Sequence, residues 1–387
     1  MANTLTISSL AEYIYNAMDK VAREPTGFIQ GSMINSGSEG VSTGGTVTSF
    51  RTSQPTLNTS YTPAMTIPAG DDQTIAAETL TIGQVANVRI PLTGETLKQL
   101  ENTSGSQETI NDLFSQAIRT IVNAIEVYAG GVVYKGSSRA FGTAGTTPFG
   151  SNLNDIPEVR QILQDNGCPV NDGMLNLVLS TAAGTNLRQL SNLYKVNEGG
   201  ESGLLRNGEL ANLMGFSIRE SAGVASHTKG TATGYDAAGG EPAGENTIAV
   251  DGSDAGTILA GDVVTFAGDT NKYIVKSATA SGAASGNIII NQPGLQEALA
   301  DTVEGTTGAS YTGNVGFHKS AVEVVMRPPA QPYGGDAATD RMTIRDEKTG
   351  LVFDAATYKG YGMAMIDFTT FYDVKVWKPE FAAVLLG

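Results

Sequence analysis

"LLRNGELANLMGFSIRES" (residues 204–221) closes on a strand-like run, Phe216-Ser217-Ile218-Arg219-Glu220, and the 92 residues after it have a different composition. Those residues, 222–313, hold 16 Gly, ten acidic and three basic residues, and only four aromatics. At Asn314 the chain resumes its earlier style with "NVGFHKSAVEVVMRPP". Inside the stretch, "NTIAVDG", "GDVVTFAG", "NKYIVKSA" and "GNIIINQP" recur between turn signals, the pattern of a small all-β barrel or sandwich. A structureless loop of that length would be exceptional in a compact domain. The reading is a β module inserted into a loop of a larger unit, with "GFSIRES" and "NVGFHKS" as neighbouring strands of that unit.

Outward from the insertion, the host unit is α/β. "NDIPEVRQILQDNG" predicts a short helix with Asn154 or Asp155 as cap, Pro157 in its first turn and Gly167 at its stop. "MLNLVLS" (174–180) is a buried strand, and a helix begins at Thr181. Upstream lies the clearest periodicity of the chain. Apolar side chains at Ile110, Leu113, Phe114, Ala117, Ile118, Ile121, Val122, Ile125, Tyr128 and Val132 predict a spine helix over 106–134, with Ser104 and Gln107 at capping-box spacing.

Before the spine, Leu80-Thr81-Ile82 and the run Val85–Ile90 alternate as strands do, with Pro55, Pro63 and Pro68 nearby. Together they read as an extended two-stranded arm, which buries little alone and needs something to lie against. Residues 7–23 carry Leu10, Ile14, Ala17, Met18 and Val21 at helical spacing. That helix suits docking on a partner or packing on its own domain. The C-terminal part returns to alternating strands, where the sole Trp377 reads as a core or interface anchor.

A length of 387 residues predicts two or three domains. A net charge of -15 argues against an electrostatic nucleic-acid binder. The single Cys168 excludes an intrachain disulfide and a cysteine zinc cluster, and it suits a reducing compartment. No apolar run is long enough to span a membrane, and the N-terminus lacks a signal peptide's basic and apolar regions.

Chemistry-bearing motifs are missing. His227, in a Gly/Thr-rich stretch, reads as a surface residue, and His318, at a strand start, as a structural imidazole. There is no HExxH, no nucleophile elbow, no P-loop and no GxGxxG opening a helix. Asp71-Asp72 and Asp346-Glu347 lie in turn-like segments and read as solvated charge. No catalytic, cofactor-binding or metal residue is assigned, no cofactor is expected, and an enzyme is disfavoured.

The parts occur in a telling order: a Gly/Ser-rich arm, "ETLTIGQVANVRIPLTGETLKQL" (78–100), the spine followed by "AFGTAGTTP" (140–148), the two flanks of the insertion, and the closing "YDVKVWKPEFAAVLL". In that order the chain resembles tailed-phage major capsid proteins of the Hong Kong 97 fold, and most closely the coat proteins of short-tailed phages that carry an insertion domain. The resemblance implies an α+β fold with an N-terminal arm (1–30), an E-loop region (31–100) and a P-domain with the spine helix (101–150). It further implies an A-domain (151–221), an inserted β-barrel-like domain (222–313), an A-domain/P-domain return (314–345) and P-domain C-terminal strands (346–387). The implied function is an icosahedral head shell around packaged double-stranded DNA, assembled in the host bacterial cytoplasm. Implied partners are other copies in hexamers and pentamers, a scaffolding protein and a portal, with weak non-specific DNA contact and no membrane. Lys98 lies after the hairpin, so the cross-linking chemistry of some relatives is not assigned. The rival readings are a head-decoration or tail protein, or a β-rich adhesin.

Overall fold

The computed structural model describes residues 13–17, 27–37, 39–52, 57–59, 61–67, 70, 75–96, 98, 106–193, 212–252, 256–279, 286–345 and 350–387. Of the helix expected over 7–23, residues 13–17 are described; they are helical, and Ile14 and Ala17 are buried in the main core. The cap Ser104, Asp71-Asp72, the "LLRNGELA" run and Asp346-Glu347 lie outside the described residues.

The chain enters through a short helix, α1 (Phe28–Gly31), and a strand, β1 (Met33–Ser36). A hairpin follows, formed by β2 (Thr46–Thr52) and β3 (Ile75–Thr81), in register from Thr46↔Thr81 to Thr52↔Ile75. The run 85–90, expected as one side of the arm, is instead a strand of the body. It lies in β4 (Gln84–Thr93), which pairs β19 (Met363–Val376) from Met363↔Thr93 to Tyr372↔Gln84. Alternation explains the difference: Ala86 and Ile90 are buried on one face while Asn87 and Arg89 face solvent, which suits a sheet with one covered face.

The spine is α2 (Ser106–Lys135), 30 residues and about 45 Å long. Phe114, Ile118, Ile121, Ile125, Ala129 and Val133 form its buried stripe. It packs on a sheet ordered β1, β16 (Val322–Arg327), β19, β18 (Val352–Gly360), β17 (Ala338–Arg345), to which β4 is added through β19. The Phe114 and Phe368 rings meet edge-on at 5.7 Å. Two glycines interrupt the helical pattern, and one has a steric reason. A Cβ on Gly130 would stand 2.4 Å from the Gly223 carbonyl oxygen.

The α/β unit is built on β5 (Arg139–Phe141), β6 (Leu175–Leu179), β7 (Phe216–Glu220), β15 (Tyr311–His318) and β20 (Ala382–Leu386), ordered β5-β20-β15-β6-β7. One face carries α3 (Asp155–Asp165) and α4 (Thr181–Gln189) through Ile156, Val159, Leu163 and Leu187. The other face sends Val178, Val315, Phe317 and Val384 into the core shared with the spine. Ser180 caps α4 on the Ala183 N–H at 3.3 Å. Asn154 holds the N-cap position of α3 without a side-chain cap bond, while Asp155 accepts from the Phe149 N–H at 2.9 Å.

The C-terminal strand departs from the expected division. β20 does not join β17–β19 but runs between β5 and β15, parallel to the first and antiparallel to the second. All five of its residues are buried, as they must be in a strand covered on both faces.

β7 and β15, expected as neighbours, share the sheet but flank β6 from opposite sides. Arg219 and Val315 both pair with Val178. The insertion thus leaves and returns at one level of the sheet, two strand spacings or about 10 Å apart.

Between these points run β8 (Ser226–His227), β9 (Tyr235–Ala237), β10 (Thr247–Gly252), β11 (Val263–Phe266), β12 (Lys272–Ala278), β13 (Gly286–Ile290) and β14 (Glu304–Thr307). The order β11-β14-β9-β10-β13-β12 is closed by a further β11–β12 pairing, so six antiparallel strands form a ring. Val250, Val264, Phe266, Tyr273, Val275 and Ile288 fill it. The ring is also tied to the body. β12 pairs β5 at Lys272↔Ala140 and Tyr273↔Arg139, and the Asn291 amide donates to the Lys135 and Ser137 carbonyls at 2.8 Å each.

Candidate assembly surface

Among the described residues, the β2–β3 hairpin forms a sheet of its own with no third strand. Its root is fixed. Leu80 and Ile82 are buried with Val325, against Val47, Phe371 and Trp377. Lys375 donates to the Thr79 carbonyl at 3.1 Å, reaches Glu78 at 3.3 Å and lies 4.1 Å from the Trp377 ring centre. Trp377 Nε1 donates to Glu323. Of the two roles open to Trp377 in the sequence, core or interface, the structure shows an anchor at the root of the hairpin.

The outer part is apolar and uncovered. Phe50 is 74% exposed, Leu57 84%, Tyr61 94%, and Met65 and Ile67 are fully open to solvent. Among the described residues, no other stretch concentrates so many exposed large side chains. A second exposed set, Tyr333 and Tyr361, flanks the end of the sheet where Tyr358 and Arg341 hold Asp336. Beside the spine, a groove of about 980 Å³ opens between helix, ring and β19. Val127, Val132, Ile289 and Trp377 line it, with Lys135, Lys276 and Lys375 among them.

Neither histidine is a free base. His227, expected on the surface, is buried. Its Nε2 meets Asp262 Oδ1 at 2.7 Å and its Nδ1 meets the Tyr134 hydroxyl at 3.2 Å. A carboxylate only accepts, which puts a proton on Nε2. Burial pushes the Tyr134 hydroxyl up to about 12. His318 Nε2 meets Asp172 at 2.7 Å and Nδ1 meets the Ser320 hydroxyl at 2.7 Å, a Ser–His–Asp chain in outline. Its Nδ1 also accepts the Ser320 N–H at 3.2 Å, which makes the imidazole the cap of a short 3-10 turn. Burial pushes the Cys168 thiol up to about 12, away from the reactive thiolate. No group of three or more His, Cys, Asp or Glu among the described residues could hold a metal, and no helix among them is long and apolar enough to cross a membrane.

No family model matches the chain, and no curated protein matches it. Solved structures do, 114 chains of them. The capsid of cyanophage P-SCSP1u is 12% identical with a TM-score of 0.48, over 93% of this chain and 88% of that one. The mature capsid of bacteriophage PhiM1 is 11% identical with a TM-score of 0.45, over 93% and 86%. The capsid of a native GTA particle is 10% identical with a TM-score of 0.46, over 94% and 90%. These three are capsids.

Proposed function

We propose that this chain is the major capsid protein of a tailed bacteriophage, a subunit that self-assembles into the icosahedral head shell around packaged double-stranded DNA. The observation that carries the reading is the hairpin: a rooted lever whose Phe50, Leu57, Tyr61, Met65 and Ile67 stand exposed, uncovered by the described residues of their own chain. An isolated two-stranded ribbon is marginal in water, so those side chains call for a neighbouring copy. The lysine-bearing groove is a matching seat. Residues 53–74 carry Asp71 and Asp72 and no basic residue, which complements Lys135 and Lys276 in charge, whereas Lys375 is already paired with Glu78 in the same groove. Copies linked hairpin to groove, head to tail, form rings such as hexamers and pentamers where the rotation between copies closes. Scaffolding protein and portal complete the partner set. With a net charge of -15, contact with DNA would be weak and non-specific.

Electron microscopy of the expressed protein is the test. Shells of uniform size are expected. Changing Leu57, Tyr61, Met65 and Ile67 to Ser should leave folded subunits that do not close shells. Lys276→Glu should impair assembly, and adding Asp71→Lys and Asp72→Lys should restore it. Monodisperse monomers at every concentration would favour an adhesin-type binding protein and overturn the reading.

A further inference from the structure

Glu126 stands four residues after Val122 on the spine and is buried, only 7% exposed. Its Oε1 accepts from the Phe28 N–H at 2.6 Å and from the Ser221 hydroxyl at 2.8 Å; Oε2 accepts from the Ile29 N–H at 3.0 Å. Ser221 Oγ in turn accepts from the Gly223 N–H at 3.1 Å. One carboxylate therefore binds two distant pieces of chain. The first is α1, through which the N-terminal segment enters the body. The second is residues 221–223, the stem that leads into the insertion.

The fit around that carboxylate is tight. A Cβ on Gly27 would lie 2.0 Å from Oε1 and 2.5 Å from Ser221 Cβ. A Cβ on Gly223 would lie 3.0 Å from the Glu126 side chain and 3.2 Å from the helix backbone. Arg219 is the neighbouring counter-charge: burial lowers its pKa, and Glu126 pulls it back up. Its guanidinium reaches Gln30 at 2.7 Å and Asn176 at 2.8 Å, and the Asn176 amide donates to the Gly31 carbonyl at 3.2 Å. The Phe28 ring stacks on Phe317 at 6.3 Å.

We propose that Glu126 couples the seating of residues 27–31 to that of the stem 221–223, so that the N-terminal segment and the base of the insertion dock and release together. A buried carboxylate is stable only while its donors are in place, and losing one partner of a buried charge costs more than the bond itself. Removing the hydroxyl from one side leaves Oε1 with a single donor and opens space beside Gly27. The seat of α1 loosens as a result, although neither of its bonded N–H groups touches Ser221. Such a coupling is reciprocal, because it is a free energy between two sites. Nothing in it depends on shell formation.

Hydrogen exchange on the full chain tests this, with melting curves to confirm folding. Ser221→Ala should speed exchange at the Phe28 and Ile29 amides by about tenfold, the loss expected for a bond to a charged group. Gly27→Ala, which crowds both Oε1 and the Ser221 side chain, should speed exchange at the Gly223 amide in return. Glu126→Gln should loosen both segments; if it fails to fold, the first two variants decide. Faster exchange confined to the substituted side in both Ser221→Ala and Gly27→Ala would overturn the coupling, as would unchanged protection of both segments in a folded Glu126→Gln.

Discussion

His227 Nε2 and Asp262 Oδ1 meet at 2.7 Å, with side chains 5% and 0% exposed, where the ring of strands meets the end of the spine. Asp262 has further donors: the Gly230 N–H at 2.9 Å on Oδ1 and the Leu259 N–H at 2.7 Å on Oδ2. The Tyr311 hydroxyl closes the same junction on the Gly261 carbonyl at 2.6 Å. The pair fastens the base of the ring to Tyr134 of the helix.

The two partners should not be equivalent. Asp262→Ala orphans the imidazole and two backbone N–H groups together, and should cost several kcal/mol, about 1–3 for each buried group left unsatisfied. His227→Ala leaves the carboxylate its two backbone donors and should cost about 1–3 kcal/mol. Chemical denaturation of both variants checks the ranking. A larger loss for His227→Ala would mean that the imidazole, not the carboxylate, organises the junction.

Why is the spine legible in the sequence and this junction not? Ile118, Ile121 and Ile125 announce a buried helical stripe by local spacing alone, and the composition break at 222 and 314 announces the insertion. His227 has no such signal. Its burial is set by Asp262, 35 residues on, and Tyr134, 93 residues back, in a Gly/Thr-rich context without periodicity. Glu126 is the same case, since its donors lie 97 and 98 residues upstream and 95 residues downstream. Alternation identifies β4 as a strand and reveals its buried face, but pairing with β19 is a non-local fact. β20 reads as a buried tail, and only the sheet order assigns it to the α/β unit.

Adjacent glycines in the spine should respond with opposite signs. A Cβ on Gly131 would meet nothing within 4 Å, so Gly131→Ala should stabilise by about 0.5–1 kcal/mol through helix propensity. At Gly130 the same change drives a methyl group against the Gly223 carbonyl at 2.4 Å, and the clash should outweigh the propensity gain. Thermal melts of the two variants decide. Equal shifts would show that the stem yields without cost.

Acid should loosen two surface contacts. Hydrogen bonding from His318 and the Met174 N–H holds the Asp172 carboxyl below its ordinary 3.8, and bonding from Tyr358 and the Ala338 N–H does the same for Asp336. A depressed carboxyl contributes stability that is complete above its unfolded value and is lost as pH falls through the lower folded value. The loss therefore begins below about pH 4. Both groups are solvent-screened, so each effect is small. Asp172→Asn and Asp336→Asn should each flatten the acid limb of a stability–pH curve while leaving the slope near neutrality unchanged. An unaltered acid limb in both would place the acid sensitivity elsewhere.

Excising the insertion should separate the ring's own fold from its tether. Glu220 pairs with Leu179 on one side of β6, and Asn314 continues β15 on the other, so a Gly linker of about four residues can span the roughly 10 Å between the cut ends. The isolated 222–313 fragment keeps all six strands of the closed ring and its filling of Val250, Val264, Phe266 and Ile288. It should show dispersed amide resonances, β-type circular dichroism and a cooperative melt. The remainder loses more than a loop. Val263, Ile274 and Tyr311 belong to the core shared with the spine, and β5 loses its β12 neighbour. The excised body should fold with lowered stability, most visibly as faster exchange at the end of the spine around Tyr134 and along β5. A disordered fragment would show that the ring needs the β5 edge to close. An excised body as stable as the full chain would show that the shared core contacts carry no weight.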